Sequence, residues 1–142
     1  MPYKFIDHIA DIAVEVSAHN LEELFKVSCT AWRIAAVQSK NSFSNDCREI
    51  YFQAESLEEL LVNLLNELNF LLYSDLWVFN SVSSLSIFTD ENKYFNLTAN
   101  ISGEYFSKDV HHFKEEIKAT TYHQLKIEKR NNLYSTTIVF DI

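Results

Sequence analysis

SLEELLVNLLNELNFLLYSDLWVF, residues 56–79, decides the fold class, because the spacing of its apolar residues changes inside it. Ser56 followed by Glu59 fits a capping box, in which a hydroxyl and a carboxylate satisfy main-chain N–H groups that a helix start leaves unpaired. Leu57, Leu60, Leu61, Leu64, Leu65, Leu68, Leu71 and Leu72 then make a broad stripe at helical period. Leucines at this spacing are core residues, and no binding role is assigned to them. From Leu76 onward the helical period stops, and aromatic and β-branched residues take over.

Working outward, Arg48–Ala54 just before this helix reads as a strand rich in bulky side chains, after a polar, turn-rich stretch from Ser39 to Asp46. Further back, Asn20 as N-cap and Glu23 open an amphipathic helix running through Val37, with Leu21, Leu24, Phe25, Ala31, Trp32 and Ala35 on one face. Asn20-Leu-Glu-Glu-Leu and Ser56-Leu-Glu-Glu-Leu echo each other, but a solenoid needs about three copies, so two strand-to-helix units are the plainer reading. Ile12–Val16 forms a short strand ahead of the first helix. On the C-terminal side, Trp77–Thr89, Tyr94–Tyr105, Glu116–Glu128 and Leu133–Ile142 read as strands. Asp90–Lys93 and Lys129–Asn132 are polar hairpin turns whose asparagines tolerate positive φ. The order predicts an α+β fold, a single two-layer domain over residues 1–142 with two helices packed on a mostly antiparallel sheet.

Composition narrows the function. With 47% hydrophobic residues the chain is too apolar for disorder, yet no run of about 18 uncharged apolar residues exists to span a membrane. Asp7 interrupts the opening too early for a secretory signal, so the cytoplasm is the expected compartment. Cys29 and Cys47 show no C-x-x-C spacing, which removes support for a disulfide framework or a zinc site; Cys29 reads as buried filler in the first helix. A formal charge of −8 repels phosphate backbones and argues against direct, tight nucleic-acid binding. Gly103 is the single glycine, so no phosphate-cradling glycine loop is present.

The polar residues that ask for a reason cluster at Asp7-His8-Ile9-Ala10-Asp11, immediately before an apolar strand, because a buried carboxylate is costly unless paired or bound to a metal. Asp7 as a turn residue and Asp11 as a solvent-facing strand position is the competing reading. At the other end, Leu133–Ile142 is too apolar for a frayed tail and finishes on Asp141-Ile142. If the first and last strands are neighbours, Asp11, Asp141 and main-chain or terminal oxygens of Ile142 converge as hard ligands suited to Ca²⁺ or Mg²⁺. Elsewhere, Gly103-Glu104 reads as a bulge or turn at a strand end, with Glu104 either functional or a guard against edge pairing. His111 and His112 point to opposite faces of a strand, so at most one serves a given site. Lys118 sits among apolar and β-branched neighbours, either solvated or poised for phosphate or an acidic partner group. No serine or cysteine stands in an activating context for nucleophilic catalysis.

Tyr3–Asp11, Leu21–Phe25, Gly103-Glu104, Ile117-Lys118-Ala119-Thr120-Thr121-Tyr122-His123 and Val139–Ile142, taken jointly and in order, resemble the archease family over the whole chain. The resemblance implies a non-enzymatic accessory protein for an RtcB-type RNA ligase, promoting guanylylation of the ligase's active-site histidine and repeated turnover. It further implies a divalent cation, Ca²⁺ or Mg²⁺/Mn²⁺, held by Asp11, Asp141 and Ile142. Asp7, His8, Glu104, His111 and Lys118 become partner-facing or supporting residues. The chain departs from the family pattern at Ile9, Ala13, Ser107 and Val110. Two other classes stay open: a chaperone or specificity module for a tRNA-modifying enzyme such as a methyltransferase, and a metal-dependent hydrolase built on the same acids.

Overall fold

The computed structural model describes residues 2–7, 11–40 and 45–142, with the main chain alone at Asp7. His8 therefore lies outside the described residues. In chain order the elements are β1 (Tyr3–Asp7), β2 (Asp11–Ala18), α1 (Leu21–Ala36), β3 (Val37–Ser39), β4 (Asp46–Ala54), α2 (Leu57–Asp75), β5 (Trp77–Thr89), β6 (Phe95–Tyr105), β7 (His111–Phe113), β8 (Ala119–Thr121), β9 (Glu128–Arg130) and β10 (Leu133–Asp141).

Both helices start where their caps dictate. The Glu23 N–H donates to Asn20 Oδ1 at 2.8 Å, and the Glu59 N–H donates to Ser56 Oγ at 3.1 Å. Glu59 reaches back one residue further than a capping box requires, accepting from the Glu55 N–H at 3.2 Å. At its end α2 is stopped by Leu76, held in the left-handed region at φ 52°, with its N–H bonded to Leu71 O. That single reversal turns the helical period into the strand period of β5.

The fold is α+β, and the strand pairings among the described residues are antiparallel. The strands divide into a three-stranded sheet, β4-β6-β5, a five-stranded sheet, β1-β2-β10-β8 with β9 also on β10, and a small β3-β7 pair. Leu24, Phe25 and Trp32 of α1 and the leucine stripe of α2 share one core with Val14, Val16, Ile138 and Phe140 of the larger sheet and Phe79, Leu97 and Ile101 of the smaller. Each fully buried leucine or phenylalanine contributes about 1.5–3 kcal/mol, against about 1 kcal/mol for a cap, so packing rather than capping holds the helices in place.

Three sequence expectations are corrected. Glu116–Glu128 is not one strand: Ala119–Thr121 pairs with β10, Gln124 at φ 58° breaks the extension, the chain rejoins β10 only at Glu128, the first residue of β9, and side chains of α2 take up main-chain groups that a ladder would otherwise use. Gly103 is neither a turn nor a position of positive φ but lies inside β6. A Cβ there would come within 2.3 Å of Val78 O and 2.6 Å of the buried Trp77 ring, so close packing is what demands glycine; the bulge sits on the facing strand, between Phe79 and Ser81. Tyr3–Asp7, not expected as a strand, forms the edge strand β1.

Candidate functional site

The β2–β10 ladder builds the site. Its register runs from Ala18 opposite Tyr134 to Asp11 opposite Asp141, so the two acids are direct cross-strand partners at the last rung. Directly opposed residues project from the same face with Cβ atoms about 5 Å apart. The register is set by the core: Ile12, Val14 and Val16 oppose Phe140, Ile138 and Thr136 on the helix-packed face, which leaves Asp11, Ala13 and Glu15 with Asp141, Val139 and Thr137 on the other. Ala13 and Val139 are buried even there, so the next rung down from the acids is apolar. Asp11 is half-buried and Asp141 exposed. On the far side of Asp141 stands Ala119, and the Lys118 N–H donates to Asp141 O at 2.7 Å. Ile142 is half-buried and packs on the core, which anchors the end of β10.

Asp7 closes β1 opposite Ile12. β1 and β2 run antiparallel, so Asp7 and Asp11 stand on two different strands rather than along one. Glu104 and His111 come together in a second neighbourhood, with His111 Nε2 2.9 Å from Glu104 Oε1. The Ser107 N–H donates to His111 Nδ1 at 3.0 Å, so Nδ1 carries no proton and Nε2 is the donor to Glu104. The imidazole is buried and tilted against Phe106 with ring centroids 5.4 Å apart, while His112 is exposed, as alternation requires. Arg33, which the sequence did not single out, is half-buried nearby; burial pulls its guanidinium below the usual arginine value, and the charge of Glu104 opposes that pull. Residues 112–117 link this pair to Lys118, with the Lys114 and Glu115 N–H groups bonded to the last carbonyls of α1.

Asn66 and Asn69, also missed, bind the main chain on either side of Lys118. The available signal was polar residues three apart inside a leucine-rich helix.

Among the described residues, no three His, Cys, Asp or Glu side chains converge as a metal cluster. The pair Asp11 and Asp141 offers two carboxylates on one face, and hard main-chain oxygens adjoin them at the end of β10. That donor set fits Ca²⁺ or Mg²⁺, which accept carboxylate, carbonyl and water oxygens, and fits zinc poorly. Cys29 is fully buried and burial pushes its thiol up, so it supplies no ligand or nucleophile. Among the described residues no helix is long and apolar enough to cross a membrane.

A two-helix α+β domain whose first long strand and last strand close on a pair of acids defines the class of protein. Residues 3–142 match the model of the Archease protein family (MTH1598/TM1083). The chain is 34% identical over 140 residues to protein archease of Methanosarcina barkeri, covering 99% of this chain and 95% of the relative, and 37% identical over 127 residues to that of Thermococcus kodakarensis, covering 89% and 88%. The chain belongs to the archease family. Its fold matches the solution structure of Methanobacterium thermoautotrophicum protein 1598 with a TM-score of 0.85 at 23% identity, covering 99% of each chain. A Thermotoga maritima crystal structure described as an archease, possible chaperone, matches with a TM-score of 0.64 at 26% identity over 98% of this chain and 96% of the other.

Proposed function

We propose that this protein is a non-enzymatic accessory factor of an RtcB-type RNA ligase in the cytoplasm, promoting ligase guanylylation and repeated turnover through a divalent cation held at Asp11, Asp141 and Ile142. The observation that carries the reading is the direct cross-strand opposition of Asp11 and Asp141. Like charges in that position destabilise a sheet, and a hard cation reverses the sign of the interaction. When bound, the cation supplies a positive centre that phosphate or carboxylate oxygens of a partner can approach. The Lys118 main chain is tied to Asp141 O and its exposed side chain offers a positive charge to a partner, and Glu104 with His111 holds the preceding loop in shape. The overall charge of −8 favours a basic protein surface over RNA as the direct partner.

A guanylylation assay with purified ligase tests this. Addition of the protein is expected to raise the rate of nucleotidyl transfer to the ligase, and the double substitution Asp11→Ala and Asp141→Ala is expected to remove the effect. An unchanged rate with the wild-type chain, or full stimulation by the double variant, refutes the reading. Co-purification of a methyltransferase without ligase would favour the chaperone class instead.

A further inference from the structure

Lys118 lies in a segment with little secondary structure of its own, since between Phe113 and Glu128 just Ala119–Thr121 pairs with β10. Its main chain is fixed instead by polar side chains from one face of α2. Asn69, almost fully buried, donates from Nδ2 to Ile117 O at 2.8 Å and accepts from the Trp32 indole N–H at 3.2 Å. One turn earlier, Asn66 Oδ1 accepts from the buried Thr120 N–H at 2.7 Å. Further back on the same face, Glu58 accepts from the Ile127 N–H at 2.8 Å. The two amides thus grip the residue before Lys118 and the residue two after it, while the Lys118 N–H is tied to Asp141 O.

What this clamp leaves loose is the side chain. Lys118 is exposed, and among the described residues no carboxylate lies in ion-pair contact with its ammonium. It borders an open groove that Asn66, Phe70, Tyr73 and Ala119 also line. Asn69 is almost fully buried, and a buried asparagine is costly unless its polar atoms are satisfied, whereas a leucine at position 69 would extend the apolar stripe of α2 at its edge. The amides make structural sense if the main chain around Lys118 must sit at one place. We propose that Asn66 and Asn69 are positioning residues that set Lys118 beside Asp141, so that its ammonium meets an anionic group of the docked partner. This rests on the ligase reading above.

The test separates the two amides and the two ideas. Asn66→Ala removes the acceptor for Thr120, whereas Asn66→Asp keeps it. Asn69→Asp keeps the acceptor for the Trp32 indole and removes the donor to Ile117. In the isolated protein, amide hydrogen exchange at Thr120 is expected to rise about tenfold or more in Asn66→Ala and to stay near wild type in Asn66→Asp. With ligase, Asn66→Ala and Asn69→Asp are expected to lower stimulation about tenfold when Lys118 is present and to cause no further loss in a Lys118→Ala background. Equal fold-losses in both backgrounds, or unchanged exchange at Thr120 in Asn66→Ala, overturn the positioning role. A wild-type chain that leaves guanylylation unchanged overturns the ligase reading and the partner contact assigned to Lys118, while the exchange measurement still decides whether the amides hold the segment.

Discussion

Asp141→Asn is expected to change the sign of its effect on stability according to whether a divalent cation is present. Asp141 and Asp11 are register partners at the end of the β2–β10 ladder, which puts their Cβ atoms about 5 Å apart and takes their charges to about that separation. Two unit charges at that separation repel by about 1 kcal/mol in water-like surroundings and about 3 kcal/mol at a partly buried surface. Asp141 is exposed and Asp11 half-buried, so the lower figure applies. In chelator at neutral pH the asparagine variant should therefore be more stable by about 1 kcal/mol, or about 3 °C in Tm for a domain of this size. Its main-chain oxygen still accepts from the Lys118 N–H, so the ladder and the loop are undisturbed. A cation at a hundred times its Kd stabilises the wild type by about 2.7 kcal/mol and stabilises the variant, which has lost a charged ligand, far less. The wild type should then melt about 5 °C above the variant, reversing their order. Thermal unfolding followed by circular dichroism, in EDTA and then across titrations of Ca²⁺, Mg²⁺ and Mn²⁺, reads both arms. A variant no more stable than wild type in EDTA, or equal cation shifts in the two proteins, refutes the reasoning.

Other outcomes follow from the rest of the fold. Gly103→Ala should cost about 3 kcal/mol, at the upper end for an added methyl, because the new carbon meets the Val78 carbonyl and the buried Trp77 ring; a urea-denaturation change under about 0.5 kcal/mol would refute the packing account. Cys47 is exposed, whereas Cys29 is buried with its thiol pushed up, so a thiol reagent on the native protein should label one cysteine quickly and the second only on unfolding; two fast thiols would count against the described core. The Asp90 carboxylate is held below its ordinary value chiefly by the Asn96 side-chain amide, with the Tyr94 and Asn92 N–H groups adding to the effect. A lowered folded-state value stabilises above the unfolded value and is lost as pH falls through the folded one, so the advantage of wild type over Asp90→Ala should shrink below pH 3.8. An advantage independent of pH would remove Asp90 as the cause.

How much was legible in the chain depended on how local the cause was. The helix starts at Asn20 and Ser56 were readable because each cap acts within three residues, and the β5 boundary at Trp77 because the period changes there. β1 was missed because it is an edge strand with Tyr3 only half-buried and Phe5 exposed, which blurs the alternation. The extended reading of Glu116–Glu128 failed for a non-local reason: its main chain is held by Glu58, Asn66 and Asn69, 69, 54 and 48 residues away, and such contacts leave no periodic trace. Glu104 and His111 were each noticed, but their pairing across the β6–β7 connection appears only in three dimensions. That the C-terminus is held in the sheet could be argued from the apolar character of Leu133–Ile142; that its neighbour is β2 could only be supposed, and the ladder shows it.

The position of the two acids is not adjustable on its own. Strand register has a period of two, so sliding β10 by one residue along β2 would turn Ile138 and Phe140 out of the core and replace them with Thr137 and Val139. The loss of those two buried side chains, about 1.5–3 kcal/mol each, exceeds the repulsion of about 1 kcal/mol between the carboxylates. The core therefore forces Asp11 and Asp141 to face each other whether or not anything lies between them. A neutral residue at either position would remove the repulsion without touching the core, because both lie on the face away from the helices. A fold whose caps, hairpin turns and packing otherwise agree with one another places its local conflict at this rung, and such conflicts concentrate where a ligand resolves them. A hard cation would resolve this one with the oxygens already in place, which is what the Asp141→Asn melts in EDTA and in cation test.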